Sequence, residues 1–179
     1  MKTTLRWRLT ALAFSGDEIA ELPVMSGDIE ADVLFFAKGE PGRRAKGVKA
    51  ARPSRKMGRD RRCGKSTRDT MTGVSVIERG SNDLILRAGP SASAELIEAS
   101  LNGSVAPGSV LLTGGWTAYP GVARSLDLTH IKLVRGRPAK RNPWQHINTV
   151  NGLHARLRKF LDRFNGLRRQ TLQLYLNWF

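Results

Sequence analysis

The chain reads as an α/β domain with a mixed sheet, because segments of strand period and segments of helix period alternate along it. Three observations carry this reading. Residues 28–37 end in the apolar run Val33-Leu34-Phe35-Phe36, as a buried strand does. Residues 72–78 and 83–88 flank Gly80-Ser81-Asn82, which is the pattern of a hairpin. Ile147, Val150, Leu153, Leu157, Phe160, Leu161 and Phe164 recur at three and four residues, which is one face of a helix. A length of 179 residues suits one compact domain.

The remaining elements follow in order. Residues 2–14 read as a basic helix with no partner before it. Ser26-Gly27 is a turn signal ahead of the first strand. Residues 91–101 form a helix of alanine and leucine spacing with a serine near its start. Pro107-Gly108 turns the chain into a buried strand over 109–113. Residues 119–126 make a short helix and 129–134 another strand. A second basic loop occupies 135–143. Asn165-Gly166 ends the long amphipathic helix, and Leu172, Tyr175, Leu176 and Phe179 mark a final one.

Charge narrows the partners. Lys and Arg number 30 against 15 Asp and Glu, a net of +15. Such an excess favours polyanions. Nucleic acid comes first, because neutralising phosphates releases condensed cations. An anionic membrane surface comes second, and a structural RNA-binding protein would show the same excess. Residues 38–68 concentrate the charge and keep neither helical nor strand period. They predict a solvated basic loop that contacts a DNA backbone through Arg43, Arg44, Lys46, Lys49, Arg52, Arg55 and Lys56. The competing reading is an insert with no contact. Cys63 is the only cysteine, which excludes an internal disulfide and makes a structural zinc site a poor fit. No apolar run reaches the roughly 18 residues of a membrane span, and the start lacks a signal-peptide core, so a soluble cytoplasmic protein is expected.

Two patterns could carry chemistry. Asp28, Glu30 and Asp32 alternate, so on a strand they share one face. Three like charges there repel unless a cation or basic groups neutralise them. Asn151, His154 and Arg158 form one stripe on the long helix, roughly 100° from its apolar face. Taken alone, the first pattern is better explained by a strand with one solvated face and the second by an ordinary polar helix flank. Residues 58–65 lack the spacing of a phosphate loop, and no nucleophile elbow is present.

Several segments resemble the ISXO2-like group of insertion-sequence transposases, in the right order and over nearly the whole chain. Glu30-Ala31-Asp32 resembles that family's "E-A/V-D-E-T" strand. Thr113-Gly114-Gly115-Trp116-Thr117-Ala118-Tyr119-Pro120 is similar to its "T/S-D-G-x-x-A-Y". His146-Ile147-Asn148-Thr149-Val150-Asn151, with His154, Leu157 and Arg158, resembles "H-x-x-x-V-N-x-x-H-x-x-L-K". Leu172-Gln173-Leu174-Tyr175-Leu176-Asn177-Trp178-Phe179 is similar to its closing segment. Lys2-Thr3-Thr4-Leu5-Arg6-Trp7-Arg8 resembles the join between an amino-terminal DNA-binding region and the catalytic domain.

The resemblance implies an RNase H-like fold and a DDE-type mechanism with asparagine as third member. Residues 1–25 would connect from a missing DNA-binding region, and 26–179 would be the catalytic domain. Two Mg²⁺ or Mn²⁺ ions about 4 Å apart would drive cleavage and strand transfer on double-stranded DNA. A homodimer or higher oligomer on DNA is a further expectation. By position, Asp32 is a metal ligand, Asn151 the third member and Arg158 a contact to DNA in place of lysine. His154 supports the same motif and is grouped with the DNA contacts. Three departures stand out. Gly114 occupies the second aspartate's place, Val33 replaces a glutamate, and Arg158 keeps charge but changes shape. They imply an impaired copy. The alternative is a non-enzymatic nucleic-acid-binding protein of transposase descent.

Overall fold

A computed structural model describes Thr10 and residues 24–37, 70–133, 143–164 and 167–179. The expected helix over 2–14 apart from Thr10, the basic loop over 38–68 and most of the loop over 135–143 fall outside the described residues, as does Asn165-Gly166.

The described elements are β1 (Asp28–Ala37), β2 (Thr70–Glu78), β3 (Leu84–Gly89), α1 (Ala94–Leu101), β4 (Val110–Thr113), α2 (Tyr119–Ser125), β5 (Thr129–Lys132), α3 (Asn148–Asp162), a 3-10 turn (Arg169–Thr171) and α4 (Leu172–Trp178). The sheet order is β3-β2-β1-β4-β5. β1 pairs antiparallel with β2, and β2 with β3. β1 pairs parallel with β4, and β4 with β5. The mixed sheet is as the sequence predicts.

Alternation along β1 separates two cores. Ile29 and Ala31 pack with Val74, Val76, Ile97, Leu101, Leu111 and Tyr119, under α1 and α2. Leu34 and Phe36 point the other way, into Met71, Leu157, Leu161, Leu172 and Leu176, under α3 and α4. Apolar residues on both faces explain why β1 reads as a continuous hydrophobic run. Glu30 and Asp32 lie on the α3 face, beside the small cluster of Ile77, Val150 and Leu153.

Boundaries differ from expectation where local hydrogen bonds intervene. α1 starts at Ala94 rather than 91, because Ser93 caps it and accepts from the Leu96 N–H. β4 starts at Val110 rather than 109, because the Ser109 hydroxyl donates back to the Ala106 carbonyl. α2 stops at Ser125, two residues before Asp127 turns left-handed at φ 53.

Candidate functional site

Asp32 sits beyond the last β1–β4 pair, Ala31 with Thr113, so the next residue of β4's path beside it is Gly114. The carboxyl ends of parallel strands are where open α/β sheets place their sites. A Cβ built on Gly114 would lie 3.0 Å from Asp32 Oδ1 and 3.4 Å from its Cγ. Gly115 carries the left-handed φ of 102, a conformation that favours glycine. Gly114 is not among the positive-φ glycines, so an L side chain is allowed there.

Asp32 is partly buried, its side chain 26% exposed. Burial raises its pKa above the ordinary carboxylate value, opposed by a backbone hydrogen bond from Val33 and by the Arg158 charge. His154 lies against it, with Nδ1 4.0 Å from Asp32 Oδ2. Its Nε2 is 3.0 Å from the Ser75 hydroxyl, and Ser75 is the cross-strand partner of Asp32. Burial, with Arg158 adding repulsion, lowers the His154 pKa to about 4, so the ring is neutral at pH 7. Ser75, His154 and Asp32 have the residue types of a hydrolytic triad. Ser75 is 1% exposed, however, so a substrate carbonyl has no route to its hydroxyl.

The match between α3 and β1 follows from their rises. Two residues of strand advance about 6.6 Å and four of helix about 6 Å. Val150 N–H meets Glu30 Oε2 at 2.9 Å, and four residues on His154 meets Asp32, two residues along β1. Asn151 and Arg158 continue the stripe on the exposed side of α3.

Glu30 has different company. It is fully buried and accepts from Arg79 Nε at 2.6 Å, from the Thr149 hydroxyl at 2.9 Å and from the Val150 N–H. Asp28 lies 3.6 Å from another Arg79 nitrogen. The repulsion expected among the three carboxylates is thus met in part by Arg79.

The structure brings Asp32, Gly114 and His154 together, with Arg158 one turn beyond His154 on the exposed side of α3 and its charge acting on Asp32. Asn151 stands one turn before His154 with its side chain exposed, and its N–H bonds the Ile147 carbonyl. Arg43, Arg44, Lys46, Lys49, Arg52, Arg55 and Lys56 lie outside the described residues. His154, grouped in sequence with the DNA contacts, is only 5% exposed. Sequence reasoning passed over Arg79 and Ser75. The signal for Arg79 was a buried strand face holding three acids and no base. Ser75 gave none.

Strand order, and an acidic residue where the central parallel strands end, define an RNase H-like domain. The sequence profile of the ISXO2-like transposase domain matches residues 25–179, and the chain belongs to that family. No curated protein matches it significantly. Solved structures similar to the chain include three of low identity. A simian T-cell lymphotropic virus intasome in complex with PP2A regulatory subunit B56 gamma aligns at 14% identity and TM-score 0.47, over 89% of this chain and 50% of that one. The catalytic core domain of BIV integrase aligns at 14% identity and TM-score 0.41, over 59% of this chain and 72% of that one. A pre-cleavage Mos1 transpososome aligns at 11% identity and TM-score 0.37, over 94% of this chain and 57% of that one. The chain therefore spans half the length of the matched intasome chain. Among the described residues no helix is long and apolar enough to cross a membrane.

Proposed function

We propose that this chain is a transposase domain that binds duplex DNA and has lost most or all of its capacity to cut and join it. The observation that carries this reading is the geometry at residue 114. A side chain there would stand against Asp32, with its Cβ 3.0 Å from Oδ1, and glycine offers no oxygen. The family's Mg²⁺ or Mn²⁺ pair needs carboxylates from both strands to share a cation. The donors present do not fit that pair. Glu30 is occupied by Arg79, Thr149 and Val150. His154 holds Ser75 through one nitrogen and offers only the other. Among the described residues no group of three His, Cys, Asp or Glu is placed to hold a metal ion.

What remains suits binding. Asp32 would be the surviving ligand, Asn151 the third member and Arg158 the contact to a phosphate near the break. His154 would hold Asp32 in place rather than touch DNA. The basic residues of 38–68 would run along the backbone, and several copies would assemble on one DNA. This makes the chain a nucleic-acid-binding protein with a weakened catalytic centre.

Duplex binding measured across a salt series tests the reading. Each phosphate contact contributes about 0.9 to the slope of log affinity on log salt. Deleting 38–68 should flatten the slope by several such units, whereas an unchanged slope would refute the loop's role. In the same reactions Mn²⁺ should produce little or no nicking; efficient nicking by the unaltered chain would overturn the reading.

A further inference from the structure

The contacts of Glu30 and Arg79 extend well beyond neutralising charge. α3 enters without a cap of its own. Ile147 is its N-cap residue, it makes no side-chain cap bond, and the first turn holds no acid. The first N–H groups of any helix lack partners within it. Here the Val150 N–H finds Glu30, which comes from β1. The Thr149 hydroxyl donates to the same carboxylate.

Arg79 ties in the segment that leads to α3. It donates to the Trp144 carbonyl at 2.7 Å and to the His146 carbonyl, while Nε holds Glu30. His146 Nδ1 lies 3.2 Å from an Arg79 nitrogen and 3.3 Å from the Asn148 N–H. The same ring nitrogen lies 3.5 Å from Glu30 Oε1. The hairpin turn, β1, the entry segment and the first turn of α3 thus meet at one carboxylate with no solvent exposure. Leaving a buried charge unpaired is costly, so this arrangement holds one discrete position rather than sliding.

We propose that Glu30, braced by Arg79, is a positioning residue: it fixes how far α3 lies along β1 and so brings His154 to Asp32, with Asn151 and Arg158 carried on the same stripe of the helix. One helical turn from the Val150 anchor spans the same length as the two strand residues from Glu30 to Asp32. A slip of α3 along its axis would carry His154 off Ser75 and Asp32 together. This inference rests on reading α3 as a wall of the proposed site, but it concerns geometry and not catalysis.

The test uses the full chain and native-state NMR. The variants are Glu30→Gln, Arg79→Lys and, as a control in the opposite core, Ile97→Val. In Glu30→Gln, the Val150 amide should exchange at least about tenfold faster than the change in global stability explains. The Asn151 amide and the His154 Nε2 resonance should shift in the same spectra. Arg79→Lys should shift them less, since it keeps a charge but loses the fork. Ile97→Val should leave both resonances in place. If Glu30→Gln only lowers stability, with Val150 exchange tracking it and both resonances unmoved, Glu30 is a structural residue and the proposal fails. If Glu30→Gln does not fold, Arg79→Lys decides by the same readouts. None depends on metal binding or DNA cleavage, so an error in the functional reading would not imitate either outcome.

Discussion

Glu30 and Asp32 stand two residues apart on one face of β1, and their surroundings are opposite. Glu30 is sealed from solvent and takes three hydrogen bonds, from a guanidinium, a hydroxyl and a helix N–H. Asp32 keeps some exposure, faces a neutral histidine and the missing side chain of Gly114, and is held in part by the Arg158 charge. One carboxylate anchors the fold. The other is left energetically unsatisfied, as reactive groups commonly are. The difference teaches that alternation on a strand sets a side chain's direction, while partners from distant elements set its chemistry.

The largest expected effect comes from removing the anchor. Glu30→Ala would leave Arg79 and the Val150 N–H without their acceptor, and should cost about 3–5 kcal/mol in urea unfolding. A loss under about 1 kcal/mol would mean that water or another group takes over, and the contrast with Asp32 would collapse.

Acidification should give the next largest effect. His154 is held to a pKa of about 4 in the fold, against 6.5 for an unperturbed ring. Between those values the unfolded chain binds the proton and the folded chain does not, so stability present above pH 6.5 falls as pH drops toward 4. The full loss is on the order of 3 kcal/mol. The gap between the unfolding free energies of the unaltered chain and His154→Gln should be constant above pH 6.5 and should move against the unaltered chain as pH falls toward 4; curves parallel through that window would deny His154 its buried neutral state.

Asp32 has the opposite sign. Its raised pKa means the fold holds the proton more tightly than the unfolded chain does, so its contribution falls as pH rises through the window and the ionised carboxylate costs stability at neutral pH. Asp32→Asn should therefore raise the melting temperature modestly at pH 7 and less at pH 4. A lower melting temperature at pH 7 would show that Asp32 is satisfied after all.

Much of this architecture was legible because it is written in local periodicity. The alternation of β1, the hairpin about residues 79–83 and the three-and-four spacing of α3 each declare themselves within a few residues. What sequence could not separate were the roles of Glu30 and Asp32. Arg79 is 49 residues from Glu30 and the Val150 N–H is 120 away, and no local pattern reports such a pairing. The burial of His154 escaped for a related reason. Its position on the helix flank was clear, but Ser75, which receives it, lies 79 residues earlier on another strand.

The central claim is that the centre fails for want of a carboxylate at 114, and a Mn²⁺ titration tests it most directly. Calorimetry and melting temperatures should be followed for the unaltered chain, Gly114→Asp and Gly114→Asp/Asp32→Ala. Without metal, Gly114→Asp should be less stable than the unaltered chain, because two carboxylates then meet and Asp32 must shift by a few tenths of an ångström. With Mn²⁺ at about a hundred times its Kd, Gly114→Asp should gain roughly 2.7 kcal/mol. The unaltered chain and the double variant should gain little. Tight binding by the unaltered chain, or no gain in Gly114→Asp, would contradict the account.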